Sequence, residues 1–171
     1  MSSYLSFETT RLLLQATTHA DADFILELVN TPKWLQYIGD RQVHSLEDAR
    51  QYIQTRMTPQ LQRLGFANYT LIRKSDQTRI GTCGLYDREG LSGLDIGFAL
   101  LPAYERQGYG YEAARRLLTA AHEDFGIQKI SAITTPDNIA SQRLLEKLGL
   151  RKTGTTQLPG EEEVLLVFEG G

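Results

Sequence analysis

The feature that most constrains the fold is one stretch whose pattern changes from strand to helix and back to strand. The apolar run Leu94–Leu101 stops at Pro102, a residue that cannot donate to a sheet ladder. A helical pattern with one apolar face begins near Gly110 and ends at Gly126. Lys129–Thr134 is strand-like again. Strands joined by such a crossover lie parallel in one sheet, so at least one parallel pair is expected.

The other strands are predicted to be mostly antiparallel. Phe66–Arg73 and Arg79–Tyr86 flank a short polar turn, which is typical of a hairpin. Further strand patterns lie at residues 11–16, 151–156 and 163–168, so the predicted sheet has about seven strands.

Four helical patterns accompany these strands. The first begins at the N-cap residue Thr18 and ends at Pro32, and the second begins at Ser45 and is expected to bend or break near Pro59. The third is the crossover helix, and the fourth covers residues 138–148. This order predicts an α/β (α+β) fold in which a mixed, mostly antiparallel central sheet of about seven strands is flanked by about four helices.

Length and composition exclude several classes of protein. A chain of 171 residues fits a single domain, residues 1–171. With one cysteine, Cys83, and three histidines on different elements, no disulfide and no metal are expected. The net charge of −3 argues against nucleic acid or an anionic membrane as a partner. No apolar run approaches the ~20 residues of a membrane span and no secretory signal is recognisable, so we expect a cytoplasmic protein.

Glycines at the start of the crossover helix suggest a phosphate site. Gly108 and Gly110 leave the first N–H groups of the helix uncovered, and these groups carry about half a positive charge. An ordinary turn before a helix is the alternative. With Ala113 the two glycines also match the dinucleotide fingerprint GxGxx[GA], in which the first glycine follows the strand at once. Here Pro102–Gln107 intervene, so a dinucleotide site is not expected.

Several motifs in one order resemble a known family. We find a resemblance to the acetyl-CoA-binding core of the GNAT N-acetyltransferase superfamily in YERQGYGYEAARRLL and in TTPDNIASQRLLEKLGLRKTG. More narrowly, the ribosomal-protein N-terminal acetyltransferases of the RimJ/RimL type are similar in TTRLLLQA, LDIGFALL and NIASQRLLEKLGL. The likeness covers roughly residues 10–168. It implies the GNAT fold and direct transfer of an acetyl group from acetyl-CoA, as co-substrate, to a primary amine of a protein N-terminus or a small molecule.

The resemblance also implies which residues bind the cofactor. The family's pyrophosphate loop, [QR]xxGx[GA], falls on Glu105–Gly110, with Glu105 in place of Gln or Arg and with Arg106 beside it to supply positive charge. The strand before the loop is expected to splay from its neighbour and to pair its backbone with the pantetheine arm. Asn138 and Ser141 fall on the family's NxxS positions, although Asn138 is also a good helix N-cap. The implied cofactor-binding residues are Phe98, Leu100, Arg106, Gln107, Gly108, Tyr109, Gly110, Asn138 and Ser141.

Few catalytic candidates follow from the resemblance. Many members carry a tyrosine acid seven residues after the asparagine, but this position is Leu145. Ser141 is therefore the remaining candidate to hydrogen-bond or protonate the sulfur. The implied oxyanion donor is a backbone N–H near Phe98 to Leu100. Asp95 stands where relatives often carry a glutamate and is a candidate base, with a solvated acid at the strand edge as the alternative.

The acceptor side is less defined. Trp34, Tyr37 and Tyr86 are candidates for the acceptor pocket, with core packing as the alternative. Cys83 suggests a covalent acetyl-cysteine, but no histidine is near it in the sequence, which favours a buried strand residue. Related proteins imply a monomer or homodimer. Because Glu105 and Leu145 depart from the family pattern, a non-catalytic acyl-CoA-binding or sensing module is the alternative function.

Charge is unevenly distributed along the chain. Residues 101–152 contain eight Lys and Arg against six Asp and Glu, a net charge of +2, which leaves −5 for the rest. A positive segment in an acidic protein fits a phosphate-rich cofactor, and a solvated helix face produces similar counts.

Overall fold

The computed structural model describes residues 4–170. Within them, one sheet of eight strands is flanked by six α-helices, none of which is long and apolar enough to cross a membrane. The strands are β1 (Phe7–Glu8), β2 (Leu12–Ala16), β3 (Asn68–Arg73), β4 (Thr78–Tyr86), β5 (Leu94–Leu100), β6 (Ile130–Thr134), β7 (Arg151–Thr156) and β8 (Leu165–Gly170). The helices are α1 (Ala22–Leu28), α2 (Pro32–Tyr37), α3 (Leu46–Arg56), α4 (Thr58–Leu64), α5 (Tyr109–Glu123) and α6 (Ile139–Lys147), with short 3₁₀ turns at His19–Asp21 and Pro102–Tyr104.

The sheet has the order β1-β2-β3-β4-β5-β6-β8-β7. Only β5 and β6, which α5 connects by a crossover, are parallel neighbours in the described chain; every other neighbouring pair is antiparallel. The predicted mixed, mostly antiparallel sheet with one late crossover is therefore confirmed. A dinucleotide-binding fold would instead have a mainly parallel sheet.

The described residues form more elements than the predicted seven strands and four helices. β1 has two residues and pairs Phe7 with Leu14, and it is too short to show a period of two. Pro32 does not merely end a helix, because it is also the first residue of α2. The N-cap of α2, Thr31, accepts a hydrogen bond from the N–H of Trp34 at 3.4 Å.

The other helix boundaries follow the predicted signals. Thr18 and Asp21 form a capping box, and the hydroxyl of Ser45 accepts a hydrogen bond from the N–H of Asp48 at 3.0 Å. The long second helical pattern divides into α3 and α4, with Pro59 in the first turn of α4. The expected break near Pro59 is therefore confirmed.

Two apolar clusters pack the helices against opposite faces of the sheet. The larger cluster includes Leu117 of α5, and the smaller one includes Ile25 of α1 and Ile53 of α3. Along β5, Phe98 packs against the larger cluster and Ala99 against the smaller one, because successive side chains of a strand point to opposite faces. β5 therefore lies between the two clusters.

Candidate active site

The sheet opens between β5 and β6. The two strands pair at two positions only, Leu94 with Ile130 and Asp95 with Ser131. Beyond these pairs β5 continues to Leu100, bonded to β4, and β6 continues beside β8. The splay expected for this strand is therefore present, and it widens toward the loop that follows β5.

Backbone groups of Phe98 and Leu100 face this gap. Leu101 donates its N–H to the carbonyl of Ile80, on the β4 side, at 2.9 Å. Alternate residues of a strand direct their backbone groups to opposite edges, so those of Phe98 and Leu100 point toward β6, beyond its last pair with β5. Backbone N–H and C=O groups in such a position are strong partners for the amides of an extended ligand.

A loop with left-handed backbone joins β5 to α5. Gly108 is the N-cap of α5 with a φ of +84°, and Arg106 has a φ of +60°. Because its N-cap residue is a glycine, no N-cap side chain caps the 15-residue helix, and its first N–H groups carry partial positive charge. A Cβ on Gly110 would lie 3.4 Å from a methyl carbon of Leu144 and 3.7 Å from one of Leu100. The loop, the end of β5 and α6 therefore meet at Gly110.

Arg11, the residue before β2, holds this loop in place. Its Nη1 donates to the carbonyl of Gln107 at 3.0 Å, its Nε donates to Glu112 at 2.8 Å, and its guanidinium lies 4.1 Å from the ring centroid of Tyr109. The backbone N–H of Arg11 also donates to Glu112, at 2.9 Å, as does the hydroxyl of Thr9. Burial alone would raise the pKa of Glu112, but these hydrogen bonds outweigh it and hold the pKa below its usual value.

The departure at Glu105 is compensated within the structure. The Glu105 carboxylate forms an ion pair with Lys33 of α2, so its negative charge does not stand unpaired beside the loop. Arg106 is exposed and forms no ion pair among the described residues. Glu105 is one of the two departures from the family pattern that favoured a non-catalytic module, and its pairing with Lys33 weakens that argument.

Asn138 and Ser141 lie together at the start of α6. The Asn138 side-chain oxygen accepts a hydrogen bond from the N–H of Ser141 at 3.2 Å, so the helix-cap role weighed for Asn138 is present in the structure. Ser141 is half-buried. Thr135, just beyond β6, is 3% exposed, and its hydroxyl has no hydrogen-bond partner among residues 4–170. The sequence offered no periodic signal for Thr135, which follows the last residue of a strand.

Asp95 is a buried, paired carboxylate at the vertex of the splay. It is 1% exposed, and the Nε of Arg88 donates to its two oxygens at 2.9 and 3.0 Å. Burial raises the pKa of Asp95, and the charge and hydrogen bonds of Arg88 only partly offset this effect. The alternative of a solvated acid is therefore wrong. The role of a base stays a prediction.

Tyr86 belongs to a buried polar chain on the α1 and α3 face of the sheet. Its hydroxyl donates to Asn68 Oδ1 at 2.6 Å, and Asn68 Nδ2 donates to the Thr17 hydroxyl at 2.8 Å. The Thr17 and Thr70 hydroxyls are 2.9 Å apart, and Thr70 donates to Asp21 at 3.2 Å. Burial raises the pKa of the Tyr86 phenol, which is therefore a neutral donor at physiological pH.

The three predicted acceptor residues divide into two groups. Tyr86 is the register partner of Asp95, whereas Trp34 and Tyr37 lie on α2 and are half-buried. Trp34 packs against the smaller apolar cluster, and its buried Nε1 has no hydrogen-bond partner in the described part of the chain. No hydrogen bond or ring contact among residues 4–170 joins Trp34 or Tyr37 to Tyr86.

Comparison of the sequence with known proteins identifies the family of this chain. Residues 11–151 match the acetyltransferase (GNAT) domain. The chain is 29% identical to the uncharacterized N-acetyltransferase YoaA of Bacillus subtilis (strain 168), over 86% of this chain and 83% of that protein. It is 30% identical to the uncharacterized N-acetyltransferase p20 of Bacillus licheniformis, over 85% and 82%.

The fold agrees with solved acetyltransferases. It matches RimL, a ribosomal L7/L12 alpha-N-protein acetyltransferase in complex with coenzyme A, with a TM-score of 0.82 over 97% of both chains and 21% identity. At that identity the likeness concerns the fold alone. The chain belongs to the GNAT acetyltransferase family and is an N-acetyltransferase.

Cys83 provides a direct test of the site assignment. The thiol is fully buried, and burial raises its pKa to about 12, so it is neither accessible nor ionised. We expect native protein to resist iodoacetamide at mildly alkaline pH and unfolded protein to react, as followed by intact-mass spectrometry. The matched variant Cys83→Ala should keep its acetyl-transfer rate. Rapid alkylation of native protein, or loss of activity in a folded Cys83→Ala, would revive the covalent route.

Proposed function

We propose that this protein transfers an acetyl group from acetyl-CoA to a primary amine, directly and in a ternary complex. The observation that carries the proposal is the gap between β5 and β6, which leads to the left-handed loop at the start of α5. The open edge of β5 suits the amides of a pantetheine arm, and the uncapped N–H groups of α5 suit a pyrophosphate. Family membership supports the same chemistry.

The distribution of ion pairs supports a phosphate-rich ligand. Of the eight Lys and Arg in residues 101–152, only Lys129 forms an ion pair with a carboxylate of the described residues, that of Glu169. Eight of the ten outside this segment have one. The positive segment therefore keeps uncompensated charge, including Arg106, Arg115 and Arg143, which favours polyanionic ligands.

The residues of the gap have distinct roles in this proposal. When bound, acetyl-CoA supplies a thioester, whose carbonyl carbon forms a bond to the amine nitrogen while the carbon–sulfur bond breaks. The backbone N–H of Phe98 or Leu100 stabilises the negative oxygen that develops. The Ser141 hydroxyl donates a hydrogen bond to the leaving sulfur, or a proton that the hydroxyl regains from water. Asp95 takes up the proton that the amine loses.

The proposed acceptor is an α-amine or a small-molecule amine. An α-amine with a pKa of about 7.7–8.0 is far more often neutral at physiological pH than a lysine with a pKa of about 10.4, a difference worth roughly 3.5 kcal/mol. A site whose only candidate base is already paired with Arg88 therefore favours the α-amine. The RimJ/RimL type of activity is the finer proposal, supported by the shared motifs and the likeness to RimL. Trp34, Tyr37 and Tyr86 are the proposed acceptor contacts.

Thiol release tests the proposed reaction. Purified protein with acetyl-CoA and a panel of N-terminal peptides and small amines should release free CoA thiol, and mass spectrometry should find the acetylated product. Ser141→Ala should still bind CoA, with at most the modest loss of one hydrogen bond, but turn over roughly 10²-fold to 10⁴-fold more slowly, the usual contribution of a positioned acid. CoA binding without turnover on any acceptor would contradict the proposal and favour the sensing module.

The pH dependence tests Asp95. A base acts as its carboxylate, so kcat/KM should rise with pH through the pKa of Asp95, which burial places above its ordinary value. At a pH between the ordinary pKa of the unfolded chain and the raised pKa of the folded protein, the folded protein holds a proton that the unfolded chain has lost. The contribution of Asp95 to the free energy of unfolding therefore falls as pH rises. Asp95→Asn should lose the part of the rising limb that belongs to Asp95, keep the part set by deprotonation of the acceptor amine, and lose most of its activity. Asp87→Asn, at an exposed neighbour, is the control, and an unchanged profile in Asp95→Asn would remove Asp95 from the reaction.

Two alanine variants at the ends of α5 separate backbone strain from ligand contact. Gly108 and Gly126 both have positive φ, so an added Cβ should lower the free energy of unfolding by about 1–2 kcal/mol at either position. A Cβ on Gly108 would lie 3.3 Å from Arg11 Nη2, whereas Gly126 has open surroundings. Gly108→Ala alone should weaken CoA binding, measured by titration calorimetry beside urea unfolding. Equal weakening by Gly126→Ala would contradict the placement of the loop.

A further inference from the structure

The Arg11 guanidinium uses only part of its donor capacity. Nε is bonded to Glu112 and Nη1 to the carbonyl of Gln107, as described above. Nη2 has no hydrogen-bond partner among the described residues, and it lies 3.3 Å from the position of a Cβ on Gly108. A charged donor therefore stands free beside the left-handed N-cap of α5, with the Arg11 side chain 41% exposed.

Two contacts keep this donor directed at the loop. The Arg11 plane is anchored at Glu112, whose carboxylate also accepts from Thr9 and from the backbone of Arg11. It also lies over the Tyr109 ring at 4.1 Å, in a cation–π arrangement. Since two of its three nitrogens are already held, Nη2 is oriented before any ligand arrives, and little side-chain freedom remains to be lost on binding.

Resting on the proposed use of acetyl-CoA, we infer that Arg11 binds the pyrophosphate of the cofactor through Nη2 and positions the loop through its other two nitrogens. In this chain the first position of the loop motif is Glu105, whose charge is taken up by Lys33. Arg11, which precedes β2, supplies the cationic donor that this loop position lacks. Guanidinium groups form strong, charge-assisted hydrogen bonds with phosphate oxygens.

Arg116 provides a matched control. Like Arg11, it connects the N-terminal strands to α5, because its Nε donates to the carbonyl of Glu8 at 3.2 Å and its guanidinium lies 5.0 Å from the ring centroid of Phe7. It lies one turn further along the helix than Glu112, and within residues 4–170 it forms no hydrogen bond, ion pair or ring contact with the loop. Arg116→Gln therefore removes a comparable link without removing a donor at Gly108.

The test compares ligands that differ in the pyrophosphate. CoA and 3′-dephospho-CoA both contain it, whereas pantetheine lacks it together with the adenosine. Dissociation constants from calorimetry, with competition titrations for pantetheine, should show that Arg11→Gln weakens CoA and 3′-dephospho-CoA by the same factor, roughly 10-fold to 100-fold. Pantetheine binding should be unchanged. Arg11→Lys should give a smaller loss than Arg11→Gln, because it keeps the positive charge. It should not reach wild-type affinity, because a single ammonium cannot serve all three partners. Arg11→Lys provides the measurement if Arg11→Gln does not fold.

Each other outcome overturns the inference. An equal loss for pantetheine would mean that Arg11 acts only on the structure, and a loss for CoA but not for 3′-dephospho-CoA would place it at the 3′-phosphate. Unchanged CoA binding, or the same loss in Arg116→Gln, would remove the special role of Arg11. Failure of the wild-type protein to bind CoA is distinguishable from all of these, because it would refute the proposed function itself.

Discussion

The two backbone pairings between β5 and β6 are the constraint on which the site depends. They hold the strands together at Asp95 and Ser131 and at no later position, and the Ser131 hydroxyl adds a bond to the carbonyl of Leu94 at 3.3 Å. Beyond this vertex each strand is held on its other side, β5 by β4 and β6 by β8. Because the outer ladders continue while the inner one stops, the gap does not collapse and its backbone groups stay available.

The two faces of the sheet are stabilised by different means at this vertex. On the α5 face, apolar side chains such as Leu117 pack tightly. On the opposite face the central strands carry buried polar groups, including Asn68, Thr70 and Asp95. Asn68 and Thr70 both bond to the Thr17 hydroxyl, and Asp95 bonds to Arg88. Such networks favour one arrangement only when their members are satisfied. This face of the gap is therefore held by hydrogen bonds, which suits the proposed binding of a polar amine.

Local signals in the sequence predicted the elements well and the long-range contacts poorly. The crossover, the hairpin and the caps at Thr18 and Ser45 follow from periodicity and cap chemistry. α2 was missed because Pro32 both ends one helical pattern and begins another. The splay was expected only from the family resemblance, since nothing in residues 96–100 marks which edge of the strand is left unpaired. Arg88 and Asp95 meet across the loop between β4 and β5, where helix and strand periodicities do not apply.

The contact between Arg11 and Glu112 joins residues 101 positions apart. Contacts of such high sequence separation close large loops, and the chain entropy lost in closing them is compensated only once the contact has formed. The glycine loop and α5 are contiguous in the chain, yet their geometry is completed only when the N-terminal strands have joined the sheet. Assembly of the loop is thereby tied to closure of the whole fold, so a partly folded chain does not present a finished ligand site.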